Sequence, residues 1–203
     1  VRETDACGST STILVVIRGN SGAGKSSIAR AVRLAYGRGC ALVEQDHLRR
    51  IILREHDGPG GLAPDFIDAT VRYLLDHGYH VVLEGILHAA KYGPTVRALI
   101  AAHRGVSSAY YLDIPFDETV RRHSTRPQVT EFTADQMRGW YRAGDVLGVD
   151  GEHVIGPTST FGDSVALIAA RSGLASASPR PDAEPAVTAP PPQRSEAGDE
   201  RGS

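Results

Sequence analysis

The stretch from Ile13 to Tyr36 most narrows what this chain can fold into. It opens with ILVVIR (Ile13 to Arg18), a nearly continuous apolar run typical of a strand buried on both faces. Gly19-Asn20-Ser21-Gly22-Ala23-Gly24-Lys25-Ser26-Ser27 follows and fits G-x-x-x-x-G-K-[ST] at every fixed position. Ile28, Ala31, Val32 and Ala35 then recur at helical spacing as far as Tyr36. A strand, a glycine-rich turn and a helix in this order wrap successive backbone N–H groups around one anion. The helix N-terminus adds the positive end of its dipole. Residues 19–27 are therefore expected to cradle the phosphates of a nucleotide. In that reading Lys25 brings a mobile charge to the β- and γ-phosphates and Ser26 offers a hydroxyl to Mg2+. Of 22 basic residues only Lys25 and Lys91 are lysine, so one of the two lies where this pattern demands it.

A phosphate loop fixes that a nucleoside triphosphate binds, not what becomes of it. The N-K-x-D motif that reads a guanine base is absent, since neither lysine follows an asparagine. Beyond the loop, apolar runs alternate with helical patterns. Strands are expected at 41–44, 80–84, 109–113 and 153–155, and helices at about 46–55, 65–77, 94–103, 117–123, 133–141 and 159–170. This alternation means βαβ units and a doubly wound parallel sheet with helices on both faces. Composition divides the chain into a polar arm at 1–12, a folded domain at 13–172 and a tail at 173–203. The tail holds six of the twelve prolines and no aromatic residue, so it is expected to be disordered, either an inert extension or a docking tail. About 160 folded residues suit a small-molecule kinase with a lid at about 117–145.

Carboxylates and arginines at the strand ends mark the acceptor side, because parallel sheets carry ligands at the carboxyl ends of their strands. Asp46, after the second strand, can take the proton of an attacking hydroxyl, hold Mg2+ through water, or cap the following helix. Arg49 lies one helical turn on and can clamp a substrate, while Arg50 points elsewhere. Glu84 ends the third strand, where a carboxylate orients Mg2+ or a substrate hydroxyl, and Gly85 beside it leaves room for a ligand at the backbone. Arg121, Arg122 and Arg126 follow the fourth strand, with Arg122 and Arg126 assigned to a cationic lid over the transferring phosphoryl group. Trp140 is expected to pack within the lid or to stack on a substrate ring.

Other function classes fall away. A net charge of −2 gives no basic field for coating nucleic acid. No run approaches the length of a membrane span, and the arm lacks the apolar core of a secretion signal. Two cysteines make neither a disulfide framework nor a zinc set, so a reducing, cytoplasmic compartment is expected. The eight histidines show no ligand spacing and read as surface or helix-end residues.

GNSGAGKSS followed by QDHLR resembles the adenylylsulfate kinase, gluconate kinase, zeta-toxin and chloramphenicol phosphotransferase branch of the P-loop kinases. Asp46 and Arg49 match the D-x-x-R pair of adenylylsulfate kinases. Asp46, Glu84 and Gly85 match the basic Asp and the E-G pair of zeta toxins. Glu44-Gln45-Asp46 stands where the first group has D-G-D, and Ile86 where zeta toxins have Thr. The resemblance implies a three-layer P-loop NTPase sandwich with strand order 2-3-1-4-5, Mg2+-ATP as donor and a hydroxyl as acceptor. The expected activity is thus an ATP-dependent kinase for a small hydroxyl compound, such as an antibiotic or nucleoside-like metabolite. A nucleotide-gated regulatory module and a nucleic-acid 5′-end kinase are the alternatives.

Overall fold

A computed structural model describes residues 5–58, 60–124 and 132–178. Five parallel strands, β1 (Ile13–Gly19), β2 (Cys40–Glu44), β3 (His80–Gly85), β4 (Val106–Leu112) and β5 (His153–Ile155), lie in the order β2-β3-β1-β4-β5. Among the described residues the sheet is joined by helices α1 (Lys25–Tyr36), α2 (Ala63–Asp76), α3 (Gly93–Ala102), α4 (Phe116–His123), α5 (Ala134–Trp140) and α6 (Phe161–Ser172), with a π-helical turn between β2 and α2. The expected three-layer P-loop sandwich is what forms, and every expected strand is present. Central β1 sends Leu14 and Val16 into a core shared with α2 and α3, and Ile13, Val15 and Ile17 into a second core against α1. Alternation of side chains along one strand thus builds both layers. Among the described residues no helix is long and apolar enough to cross a membrane.

Three expectations need correction. The helix expected from Asp46 to Glu55 is a six-residue π-helical turn, His47–Ile52. Leu48 is buried in it, but Ile51 and Ile52 face outward, with 65% and 52% of their surface exposed. The wider turn takes them off the inward face that a 3.6-residue period gives them. The polar arm at 1–12 is not separate from the folded domain: Cys7 is buried, its N–H donates to Ala102 O (2.9 Å), and its carbonyl accepts from Arg104 N (3.0 Å). Nor does the chain leave the core at Gly173. Leu174 is buried and Ser178 O accepts from the Tyr36 hydroxyl (2.6 Å), while the rest of the expected tail, 179–203, lies outside the described residues.

Three histidines, His80, His103 and His123, are interior rather than at the surface. His80 and His103 sit at the amino-terminal edge of the sheet, where His80 Nδ1 accepts from Ile13 N (3.0 Å) and His103 bridges Thr12 Oγ1 (2.9 Å) and Ser107 Oγ (2.8 Å). Burial holds both rings below the ordinary histidine value of 6.5. The fold therefore favours the neutral rings. Their stabilisation is full above that value and is lost as pH falls through the lowered native values. Thermal unfolding is expected to show a falling Tm as the buffer is taken from pH 7.5 towards about 5, before most carboxylates titrate. A flat profile there would remove these rings from the account.

One side chain breaks the apolar pattern of β1. Arg18, the residue before the phosphate loop, is fully buried on the α2 and α3 side of the sheet. Its guanidinium donates to Leu87 O (2.7 and 3.0 Å), Asp145 O (2.8 Å), Asp145 Oδ2 (3.0 Å) and Glu152 Oε1 (3.4 Å). Arg18→Ala would take this donor from two carboxylates and two carbonyls. It is expected to cost about 3–5 kcal/mol in urea unfolding, and a loss under about 1 kcal/mol would mean that water reaches the carboxylates.

Candidate active site

The phosphate loop leaves β1 with Gly19, Gly22 and Gly24 all at positive φ. At Gly22 (φ 83°) a Cβ would also lie 2.5 Å from Thr119 O, so glycine is required both by conformation and by the close approach of α4. Lys25 Nζ donates to Asn20 O (3.0 Å) across the loop. The Asn20 side chain turns away from the cradle: its amide donates to Arg142 O (2.7 Å) and Tyr111 Oη (3.2 Å) and accepts from Arg142 N (2.9 Å). The Asn20 backbone is what remains to face an anion, as a cradle of backbone N–H groups requires.

Ser26 Oγ donates to Glu84 Oε1 (2.9 Å), which joins the loop to the end of β3. Glu84 is buried, and burial raises its carboxyl above the ordinary range; Lys25 and the Ser26 hydrogen bond pull it down, and Glu44 and Asp46 push it up. Lys25, Ser26, Glu84 and Asp46 are therefore brought together. Asp46 is 59% exposed, makes no capping bond to the following turn, and accepts from Arg49 Nη2 (2.9 Å). Gly85 does not open a space for ligand. A Cβ there would lie 2.3 Å from Gln45 Oε1, because the Gln45 side chain fills that space and accepts from Leu87 N (2.9 Å).

Arg122 reaches the phosphate loop from α4, donating to Ala23 O (3.2 Å) and to Glu118 Oε1 (2.7 Å). Arg121 faces outward in a pair with the same glutamate. Arg126 lies outside the described residues. Trp140 packs edge-on against Phe132, 5.6 Å between ring centres, with its Nε1 buried and without a partner among the described residues.

Sequence reasoning missed the other side of the loop. A cavity of about 490 Å³ is lined by Gly24, Ser27 and Ile28, by Arg122, and by the turn between β5 and α6 including Pro157 and Thr158. Phe161 stands at its margin, largely exposed. Its size suits a small ligand. The turn carries no motif, so only β5 pairing with β4 brings it here.

The donors present fit a Mg2+-nucleotide: a backbone cradle, a lysine, a hydroxyl at the helix N-terminus and a buried carboxylate bonded to that hydroxyl. Without a cation the carboxylate is a burden on the fold. Its stabilising contribution is present below the ordinary value of 4.5 and is lost as pH rises through its raised native value. Glu84→Gln is therefore expected to raise the Tm of the ligand-free protein at pH 8 and to weaken Mg2+-nucleotide binding by about 10- to 100-fold. Calorimetry and titration with a fluorescent nucleotide check both signs; an unchanged affinity would detach Glu84 from the cation.

Comparison with known proteins follows the same lines. The family model described as Zeta toxin matches residues 4–108, a span that holds the phosphate loop, Asp46 and Glu84. No curated protein matches the sequence at a significant level. Among solved structures, the APS kinase of Mycobacterium tuberculosis with AMPPNP and APS superposes with a TM-score of 0.58 at 17% identity, covering 83% of this chain and 98% of that one. A sugar kinase from Janibacter sp. HTCC2649 gives 0.61 at 15% identity, covering 83% and 99%. The tunicamycin resistance protein of Deinococcus radiodurans gives 0.53 at 15%, covering 80% and 96%. At these identities the likeness is one of fold. With its phosphate loop, its strand-end carboxylates and more than half its length inside the family model, the chain belongs to the zeta-toxin family.

Proposed function

We propose that the chain is an ATP-dependent phosphotransferase that acts on a hydroxyl of a small molecule. The observation that carries this reading is the Ser26–Glu84 hydrogen bond at the root of the phosphate loop, with the Asp46 carboxylate close enough to raise Glu84. A nucleotide-binding module needs the loop; it does not need a second, exposed carboxylate near enough to Glu84 to be felt by it.

In this mechanism the backbone of residues 19–27 and Lys25 hold the phosphates, and Ser26 with Glu84 holds Mg2+. The cation, when bound, neutralises charge on the phosphate oxygens. The base occupies the cavity beside Pro157, Thr158 and Phe161. Asp46 accepts the proton of the acceptor hydroxyl as its oxygen bonds to the γ-phosphorus, while the bond from that phosphorus to the β,γ-bridging oxygen breaks and ADP leaves. Arg49 fixes the orientation of Asp46 and contacts the acceptor. Arg122, with Arg126, belongs to the lid at 117–145 that excludes water. Hydroxylated antibiotics and nucleoside-like metabolites head the acceptor classes. Both cysteines are unpaired and buried, which suits a reducing cytoplasm.

A panel of hydroxyl metabolites with Mg2+-ATP tests the reading, with ADP release and product mass followed together. Phosphorylated product is expected for at least one compound; ADP release without product across a broad panel would overturn transfer. With the acceptor in hand, Asp46→Asn is expected to lower kcat about 10²- to 10⁴-fold while nucleotide affinity stays within about twofold.

A further inference from the structure

The second lysine has no part in the mechanism above, yet it is engaged more fully than a surface lysine needs to be. Lys91 lies in the turn between β3 and α3, only 29% exposed, above the ring of buried Tyr92 (5.4 Å to its centre). Its Nζ donates to Asp57 Oδ1 and to Gly58 O (2.8 Å), and Tyr92 Oη donates to the same Asp57 oxygen (3.1 Å). Burial opposes ionisation of Asp57, but the Lys91 bond and charge, Arg49 and the Tyr92 hydroxyl outweigh it and hold the carboxyl below its ordinary range. Asp57 belongs to the segment that leaves the π-helical turn. Two residues earlier, Glu55 O accepts from Arg49 Nη1 (3.3 Å), and Arg49 Nη2 in turn donates to Asp46 Oδ1 (2.9 Å).

We propose that Lys91 is a positioning residue for the acceptor side: by anchoring Asp57 it fixes the segment that holds Arg49, and Arg49 holds the Asp46 carboxylate. This rests on the phosphotransfer reading of Asp46. Two further observations support it. Arg54, between Arg49 and Asp57, has φ 56°, a left-handed conformation that a non-glycine residue keeps only where its surroundings impose it. Glu55, whose carboxylate accepts from Leu62 N (3.0 Å), and the anchored Asp57, both just after it, supply that constraint. Secondly, Arg49 Nε is buried without a hydrogen-bond partner among the described residues. The guanidinium is thus held through its two terminal nitrogens, to Glu55 O and Asp46 Oδ1, so its placement depends on where the anchored segment puts Glu55.

The test compares wild type, Lys91→Met and Lys91→Arg in the full chain. Three readouts are followed: the Arg49 Nε–Hε signal by NMR, tryptic cleavage after Arg54, and ADP release from Mg2+-ATP with water as acceptor. Lys91→Met is expected to collapse the Arg49 signal to the solvent-averaged position and to speed cleavage about tenfold. It should also lower turnover about tenfold, with fluorescent-nucleotide affinity within about twofold. Lys91→Arg restores all three. In the double variant with Asp46→Asn, the lysine substitution adds no further loss of turnover. An Arg49 signal unchanged in Lys91→Met overturns the proposal, as does a freed Arg49 with unchanged turnover. If wild type releases no ADP even against the acceptor panel, the phosphotransfer reading fails, and the Arg49 signal alone decides whether Lys91 holds the partner of Asp46.

Discussion

A charged group in an apolar wall dictates how the working end of this sheet is assembled. The guanidinium of Arg18 is out of contact with water at the point where β1 passes into the phosphate loop. Such a charge is tolerable only when its donors are met. The partners come from two places distant in sequence: the carbonyl of Leu87 beyond β3, and Asp145 and Glu152 beyond α5. Leu87 takes φ 44° to supply that carbonyl, and Gln45 secures its N–H from the other side. One buried cation thus gathers the segments after β3 and α5 and seats them against the strand that leads into the phosphate loop.

The two halves of the site use electrostatics in opposite ways. On the phosphate side Glu84 is held in a burial that resists its charge, so binding a cation relieves an existing cost. On the acceptor side the charges are already matched, Asp46 with Arg49 and Asp57 with Lys91, in partly exposed pairs. Pairs of that kind add little to stability. Their effect is geometric: they fix where one carboxylate and one guanidinium point.

Much of this was legible in the chain because it rests on local periodicity. Each expected strand forms, β5 with the bounds expected, and the helix after the phosphate loop spans Lys25–Tyr36 as its spacing indicated. What the sequence hid depends on contacts between distant segments or on departures from regular period. Arg18 reads as the polar end of an apolar run until β3 and β4 enclose it on both sides. Gly85 suggests space for a ligand, whereas the space is taken by Gln45, the residue that follows β2. Ile51 and Ile52 keep an inward phase only in an α-helix, and the turn there is wider. The cavity beside Phe161 is built by a turn without a motif, so no local signal could announce it.

The scarcity of lysine gains a practical side once both positions are known. Lys25 is buried in the phosphate loop and Lys91 braces the far wall, so the protein has no lysine amine away from the site. Reagents and enzymes that acylate lysine would find nothing harmless to modify. Coupling through lysine to a resin or dye would report on the site or spoil it, while the arginine-covered exterior stays inert. The same arrangement makes the two amines a built-in pair of reporters, one for each side of the crevice, separable by mass on a single peptide map.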